Sequence, residues 1–274
     1  MITVTGATGN VGRPLVRALL TAGERVTAVS RRGPLDDAAG PRHHRADLAA
    51  PRTLEPALDG AEALFLLTSG DFMAQGGDLG AVLEVARSAG VRRVVLLSSQ
   101  GVGTGDHPPA AEDAVRRSGL GWTMLRPAGF HTNTLRWAGA VRAERTVAAP
   151  FGDVALPTVD PDDIAAVAAV ALRDPGHAGR VHELTGPAPI SPRQQAAAIG
   201  HALGEPVRFA EQSRDQARAE MIRFMPEPVA DATLDMLGDP SPGLRGVSRD
   251  VERVLGRAPR SYAEWATRNA SAFR

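Results

Sequence analysis

The first apolar run of the chain, Ile2-Thr3-Val4-Thr5, passes straight into Gly6-Ala7-Thr8-Gly9-Asn10-Val11-Gly12, which opens a helical pattern over residues 11–22. Three glycines at this spacing do three different things. Gly6 permits a tight turn, Gly9 lets backbone approach a pyrophosphate, and Gly12 lets the helix pack closely on the strand. Amides at the helix N-terminus then face the anion. A glycine turn alone can serve plain packing, so its weight comes from context: strand before it, helix after it, and the same alternation continuing along the chain.

Apolar runs at residues 25–29, 64–68, 94–98 and 122–126, with a weaker one at 42–45, predict further strands. Their unbroken apolar character suits strands buried on both faces of a parallel sheet. Helical patterns at 54–58, 79–89 and 110–118 fall between them, and several close on glycine, as Ala22-Gly23, Ala89-Gly90 and Ser118-Gly119 do. This alternation predicts an α/β fold of Rossmann type, a doubly wound parallel sheet. After residue 130 helices dominate, at 161–172, 192–203, 215–225 and 228–237, with short strand pieces at 180–184 and 207–209. We therefore expect a dinucleotide-binding domain over 1–150. A smaller, mainly helical C-terminal lobe over 151–274, intertwined with the first, would complete the substrate pocket.

Composition removes whole classes of chemistry. The 274 residues carry 31 basic and 31 acidic side chains, and zero formal charge argues against a nucleic-acid or anionic-membrane binder. Absent cysteine excludes disulfides, thiol catalysis and cysteine-ligated metal. Absent lysine makes every basic side chain an arginine and excludes a Schiff base, a phosphate-binding P-loop lysine and any Tyr-x-x-x-Lys pair. The single tyrosine is Tyr262. His43 and His44 lack acids at metal-ligand spacing, so no metal is expected and both are read as solvated. The longest apolar stretch, 164–172, is shorter than the roughly 20 residues a spanning helix needs. With no charged leader ahead of Ile2, a cytoplasmic protein without membrane attachment is expected.

The end of the second strand bears on the choice of dinucleotide. An NAD site usually places an acid there for the ribose hydroxyls, whereas this chain has Ser30-Arg31-Arg32. A guanidinium fork suits a 2′-phosphate, and Arg13 could add charge nearby. NADP(H) is favoured and NAD(H) stays open, since two loop arginines in an arginine-rich chain also have a surface reading. Asp47-Leu48 could flank the adenine. Thr68-Ser69 and Ser98-Ser99-Gln100 sit at the ends of later strands, where hydroxyls either form turns or line a nicotinamide-ribose pocket.

Thr5–Gly12, with Ser118–Pro127, Val159-Asp160-Pro161-Asp162-Asp163-Ile164-Ala165, Leu184-Thr185-Gly186-Pro187 and the closing 256–265, resembles the NmrA-like atypical short-chain dehydrogenases/reductases. The resemblance spans nearly the whole chain. The cofactor set expected from the turn, the strand ends and this resemblance together is Thr5, Gly6, Thr8, Gly9, Asn10, Val11, Gly12, Arg31, Arg32, Asp47, Leu48, Thr68, Ser69, Ser98 and Pro127. That family contains NAD(P)H-dependent quinone reductases, tailoring enzymes acting on aromatic polyketides, and redox-sensing regulators that bind nucleotide without turnover.

One departure matters. The tyrosine and lysine of ordinary short-chain dehydrogenases would fall near Thr104 and Pro108, and neither residue can do that work. Ketone reduction needs an acid because an alkoxide is a strong base. Quinone reduction yields a phenolate-like anion, comparable to a tyrosine of pKa about 10, that solvent or one histidine can protonate. The expected activity is therefore NAD(P)H-dependent reduction of a quinone or related aromatic carbonyl compound, with aromatic polyketide tailoring beside a hydroxylase as one setting. The alternative is a non-catalytic NAD(P) redox-sensing regulator.

For catalysis the resemblance points to His107, near a histidine of the quinone-reductase branch, and to Asn133, matching an asparagine near nicotinamide and substrate. Ser99 joins them as a strand-end hydroxyl. An exposed loop histidine and a helix cap are the plain readings of His107 and Asn133. Gln100, Phe130, His131, Trp137, Met221 and Met225 are candidates for the substrate walls, Met221, Phe224 and Met225 forming an i, i+3, i+4 stripe that also suits core or a lid. Arg249, Arg253 and Arg257 are read as a solvated helical face. The expected partner is a small aromatic or quinone molecule, with no nucleic acid; a homodimer or protein partner stays open.

Overall fold

The computed structural model describes residues 1–31, 41–68, 72–73 and 75–274. Arg32 and Ser69, both expected at the nucleotide, lie outside the described residues. The chain forms two compact units, and neither is continuous in sequence. The first comprises Met1–Pro127, Pro161–Leu184 and Arg249–Arg257; the second comprises Ala128–Asp160, Thr185–Ser248 and Ala258–Arg274. A single division at residue 150 is therefore not where the units change.

The first unit is built on β1 (Ile2–Thr5), β2 (Val26–Ser30), β3 (Arg42–Arg45), β4 (Ala63–Leu67), β5 (Arg93–Leu97) and β6 (Gly121–Pro127), joined by the late strand Arg180–Leu184. The sheet is parallel throughout and runs Arg180–Leu184, β6, β5, β4, β1, β2, β3. The doubly wound Rossmann-type sheet is thus present. The order reverses between β1 and β4, and in such sheets ligands bind outside the strand ends at that point. Central strands are buried along their length, Val4, Leu64, Phe65, Leu66, Val94 and Leu96 being inaccessible. β3, sequence Arg-His-His-Arg, is polar because it closes an edge. His43 and His44 are half-buried there rather than solvated.

Two elements expected in the C-terminal lobe belong to this unit instead. The alanine- and valine-rich helix Pro161–Arg173 has nine buried residues and packs beside the helix Gly12–Thr21. Arg180–Leu184 pairs in register with Thr123–Pro127 of β6. Small side chains explain the first placement, since they let a helix lie close to its neighbours. The second depends on a partner more than fifty residues away and has no local signature. Arg257 is also a correction: Gly256, at φ +67°, ends the helix Asp250–Leu255 before it. Arg249 and Arg253 pair with Glu252 and Asp250, and Arg257 donates to the fully buried Asp163 at 2.6 Å.

The second unit packs Trp137, Val141, Val147, Ile199, Tyr262, Trp265 and Phe273 into its own core. It contains two small sheets that sequence reading largely missed. Leu156–Val159 lies between Gly129–Phe130 and Pro189–Ile190, and Thr146–Ala149 pairs with Arg208–Glu211. Strands of two to four residues carry no alternation to read. The helix expected over 215–225 ends at Met221, where a turn begins, so Met221, Phe224 and Met225 do not form one helical stripe.

Candidate functional site

The turn after β1 has the geometry its glycines suggest, with one refinement. Gly6 takes φ +63°, which disfavours any side chain. A Cβ on Gly12 would stand 2.1 Å from the Gly6 carbonyl oxygen and 2.7 Å from Cα of Ala7. Gly12 therefore makes room for the turn's own backbone, while Gly9 and Asn10 stay exposed at its tip and Thr8 is half-buried. The turn is closed by the Gly9 amide on the Gly6 carbonyl at 2.9 Å and tied to β2 by the Ala7 amide on Val29 at 3.1 Å. The helix that follows has no acid in its first turn and no side-chain cap, so its positive end is open to an anion. A backbone cradle that a single methyl would fill, at a helix N-terminus on the reversal point of the sheet, fits a dinucleotide pyrophosphate.

Thr5 is a correction within this set. Its buried hydroxyl donates to the Phe65 carbonyl at 3.0 Å and accepts from the Leu67 amide at 2.9 Å. It clasps β1 to β4 and is not turned toward a ligand. Asp47 is exposed, but its carboxylate accepts the Ala49 amide at 3.0 Å in a local turn, and Leu48 packs on the core. Arg31 is exposed just beyond β2. Register adds a residue that sequence reasoning missed: Ser30 lies opposite Arg45, the exposed last residue of β3. Thr68, half-buried, follows β4.

The end of β5 holds the chemistry-bearing side chains. Ser99 caps the short helix Gln100–Thr104 by accepting the Gly101 amide at 3.2 Å, and its hydroxyl lies 3.0 Å from Nδ1 of His107. The His107 amide returns to the Gly101 carbonyl at 2.9 Å. A Cβ on Gly101 would meet the imidazole at 2.6 Å, so this glycine is what admits the ring. His107 is exposed and Gln100 is buried. Sequence reading named Ser99 and His107 separately; the fold brings them into contact.

Ser98 is committed elsewhere. Its hydroxyl donates at 2.7 Å to Glu112, a carboxylate only 1% exposed. Arg126 grips Glu112 with two hydrogen bonds of 2.8 Å, and Arg116 adds one of 2.7 Å. Burial pushes the Glu112 carboxyl up, but the bonds from Arg126 and Ser98 outweigh it and hold the group below its usual range; Glu112 in turn raises Arg126. A Cβ on Gly103 would meet Arg126 at 2.8 Å. This network fixes the strand end beneath Ser99, and no sequence motif announced it. Pro127 is buried at the end of β6, in register with Leu184.

The remaining candidates lie in the second unit. His131 is 1% exposed and packs edge-on against Tyr262 and Trp265 at 5.2 and 6.1 Å between ring centroids. Trp137 is buried in the same core. Both expected substrate walls are thus core aromatics. Phe130, Met221 and Met225 are half-buried and Asn133 is exposed. The helix containing Asn133 starts from Phe130, whose side chain offers no capping hydrogen bond. Tyr262 donates to Thr134 at 2.7 Å, and burial pushes its phenol well above the ordinary range. The single tyrosine is a structural group.

Comparison with known proteins agrees with this geometry. Residues 6–175 match a family described as NAD(P)H-binding. The chain is 37% identical to the (4-alkanoyl-5-oxo-2,5-dihydrofuran-3-yl)methyl phosphate reductase of Streptomyces griseus, over all of this chain (100%) and 99% of that one. It is 35% identical to the NAD(P)H azoreductase of Xenophilus azovorans, over 100% and 99%. The structure of the NADPH-dependent quinone oxidoreductase QOR2 of Escherichia coli, complexed with NADPH, aligns at TM-score 0.81 and 26% identity, covering 98% of this chain and 99% of that one. NmrA, a negative transcriptional regulator, shares the fold at TM-score 0.74 and 19% identity over 97% and 94%. The chain belongs to the NAD(P)H-binding family.

Proposed function

We propose that this NAD(P)H-dependent oxidoreductase reduces a quinone or a related conjugated carbonyl compound without a tyrosine-lysine dyad. The observation that carries the reading is the Ser99–His107 contact of 3.0 Å beyond the end of β5, with Gly101 making room for the ring. Reduced nicotinamide, when bound, supplies the hydride. The turn at Gly6 and Gly9, which Gly12 leaves room for, holds its pyrophosphate through backbone, and Arg31, with Arg45 opposite Ser30, favours the 2′-phosphate of NADP(H) over NAD(H).

A quinone that accepts hydride becomes a hydroquinone monoanion, and one proton completes the product. As imidazolium, His107 donates Nδ1–H to the Ser99 oxygen and carries that proton at Nε2; giving it to the hydroquinone oxygen leaves a neutral imidazole. An imidazolium is a sufficient acid for a phenolate-like oxygen. Relatives named as reductases of an azo compound and of an oxo-dihydrofuran support an activated, conjugated acceptor. Aromatic polyketides with quinone rings fall in this class, so a tailoring step beside a hydroxylase belongs to the proposal.

Absorbance at 340 nm with NADPH or NADH and a panel of naphthoquinones and anthraquinones tests it. Turnover with one nucleotide preferred supports the enzyme. Tight nucleotide binding with no turnover would favour a redox-sensing regulator, and no nucleotide binding would overturn both.

A further inference from the structure

The short helix Gln100–Thr104 carries glycine at Gly101 and at Gly103. Residues two apart on a helix point about 200° from each other, so the two glycines open opposite sides. On one side a Cβ at Gly101 would strike the His107 imidazole at 2.6 Å. On the other a Cβ at Gly103 would stand 2.8 Å from Nη1 of Arg126 and 3.0 Å from Oε1 of Glu183. The helix is thus a thin wedge between the ring that Ser99 contacts and a pair of charged side chains.

Arg126 is not free to swing aside as a surface arginine is. Glu112, on the helix Ala110–Arg117, accepts from its Nε and its Nη2 at 2.8 Å each, which leaves Nη1 as the edge that faces Gly103. Glu183 stands in register with Arg126 on the neighbouring strand, so the sheet fixes its backbone beside the guanidinium. The same Glu112 carboxylate accepts the Ser98 hydroxyl at 2.7 Å, one residue before Ser99. The strand end and the surface under Gly103 are therefore fastened to one buried group. A buried ion pair is a poor source of stability, since apolar side chains of similar volume often serve as well. What a guanidinium fork adds is direction.

We propose that Arg126 is a positioning residue for the Ser99–His107 pair. Held by Glu112, it forms with Glu183 the bed on which Gly103 lies. That bed sets where Gln100–Thr104 sits, and with it the Ser99 cap at one end and the imidazole packed on Gly101. The inference rests on the reading of Ser99 and His107 as the proton-donating pair, and adds what keeps them 3.0 Å apart. Arg126 acts through the helix and moves no proton itself.

Gly103→Ala, in the full chain, probes the bed without touching the ion pair. Gly103 has ordinary helical backbone, and alanine favours a helix over glycine, so the unfolding midpoint should hold or rise. With NADPH and menadione, kcat should fall roughly tenfold, as a displaced catalytic group costs. KM for NADPH should stay within about twofold, because the glycine turn is untouched. Glu112→Leu combined with Arg126→Met removes both charges and keeps the bulk, and should show the same loss of kcat in folded protein. Unchanged kcat in either folded variant overturns the positioning role.

Long-range proton–nitrogen NMR of the His107 ring reads the pair without turnover. The Nδ1 signal should move in Ser99→Ala, which removes its partner, and move the same way in Gly103→Ala. That result supports the positioning role even if no quinone is reduced, in which case only the quinone reading falls. An Nδ1 signal that keeps its wild-type position in Gly103→Ala sinks the proposal whatever the kinetics show.

Discussion

The Ser99 hydroxyl and Nδ1 of His107 stand 3.0 Å apart across eight residues of chain. Because the two groups act through one hydrogen bond, their losses should not multiply. His107→Ala is expected to lower kcat on a quinone by about 100-fold, in the range of a lost general acid. Ser99→Ala should cost roughly tenfold, and the double variant should be no worse than His107→Ala. A steady-state double-mutant cycle reads this; multiplied losses would show that the two residues work separately.

Gly12→Ala places a methyl 2.1 Å from the Gly6 oxygen. The turn must open to admit it, at a cost of about 1–3 kcal/mol in stability. Nucleotide affinity should drop by at least about tenfold, because the same backbone forms the cradle. Calorimetric titration with NADPH beside thermal unfolding separates the two effects. Unchanged affinity would place the pyrophosphate elsewhere.

Arg31→Ala should raise KM for NADPH by roughly tenfold and leave NADH nearly unchanged, since only the former carries the 2′-phosphate. Arg45, whose Cα lies in register with that of Ser30, should add to the loss in the double variant. Equal effects on both nucleotides would remove the phosphate contact.

Glu112 titrates lower in the fold than an ordinary glutamate near 4.5. Its ionised form is thus favoured by folding. The stability it contributes is present in full well above pH 4.5 and disappears as pH falls through the lower, folded value. Glu112→Gln should therefore destabilise the chain by about 1.5–3 kcal/mol at pH 7, with the difference from wild type shrinking in acid. Urea unfolding at a series of pH values measures it; a difference that grew on acidification would contradict the network.

Tyr262→Phe should leave turnover within about twofold and cost about 1 kcal/mol of stability, the worth of one buried hydrogen bond. The phenol is buried against Thr134 and its proton is held too tightly to serve as an acid. A lost catalytic step in this variant would return the tyrosine to the mechanism.

Much of the first unit was legible because its signals are local. A run such as Leu64-Phe65-Leu66 is apolar on both faces wherever it goes, and a glycine at Gly6 meets its φ requirement within one turn. A weaker strand near Arg42–Arg45 was also legible despite its charges, and β3 lies there. Less was legible of the site. Ser98 read as a ligand group and is bound to Glu112; His131 read as a substrate wall and is core. A hydroxyl or an imidazole looks the same in sequence whichever partner it finds.

The sequence by itself determined the parallel strands, the glycine cradle, the missing tyrosine-lysine dyad and the family. Each of these is a matter of residue type and short-range spacing. Only the tertiary structure decided that Arg180–Leu184 extends the sheet, that Arg45 stands opposite Ser30, that Ser99 meets His107, and that Gly103 lies against Arg126. Those outcomes depend on which segments meet across the fold and which side of a turn is buried. That is settled by the packing of the whole core, and no window of neighbouring residues contains it.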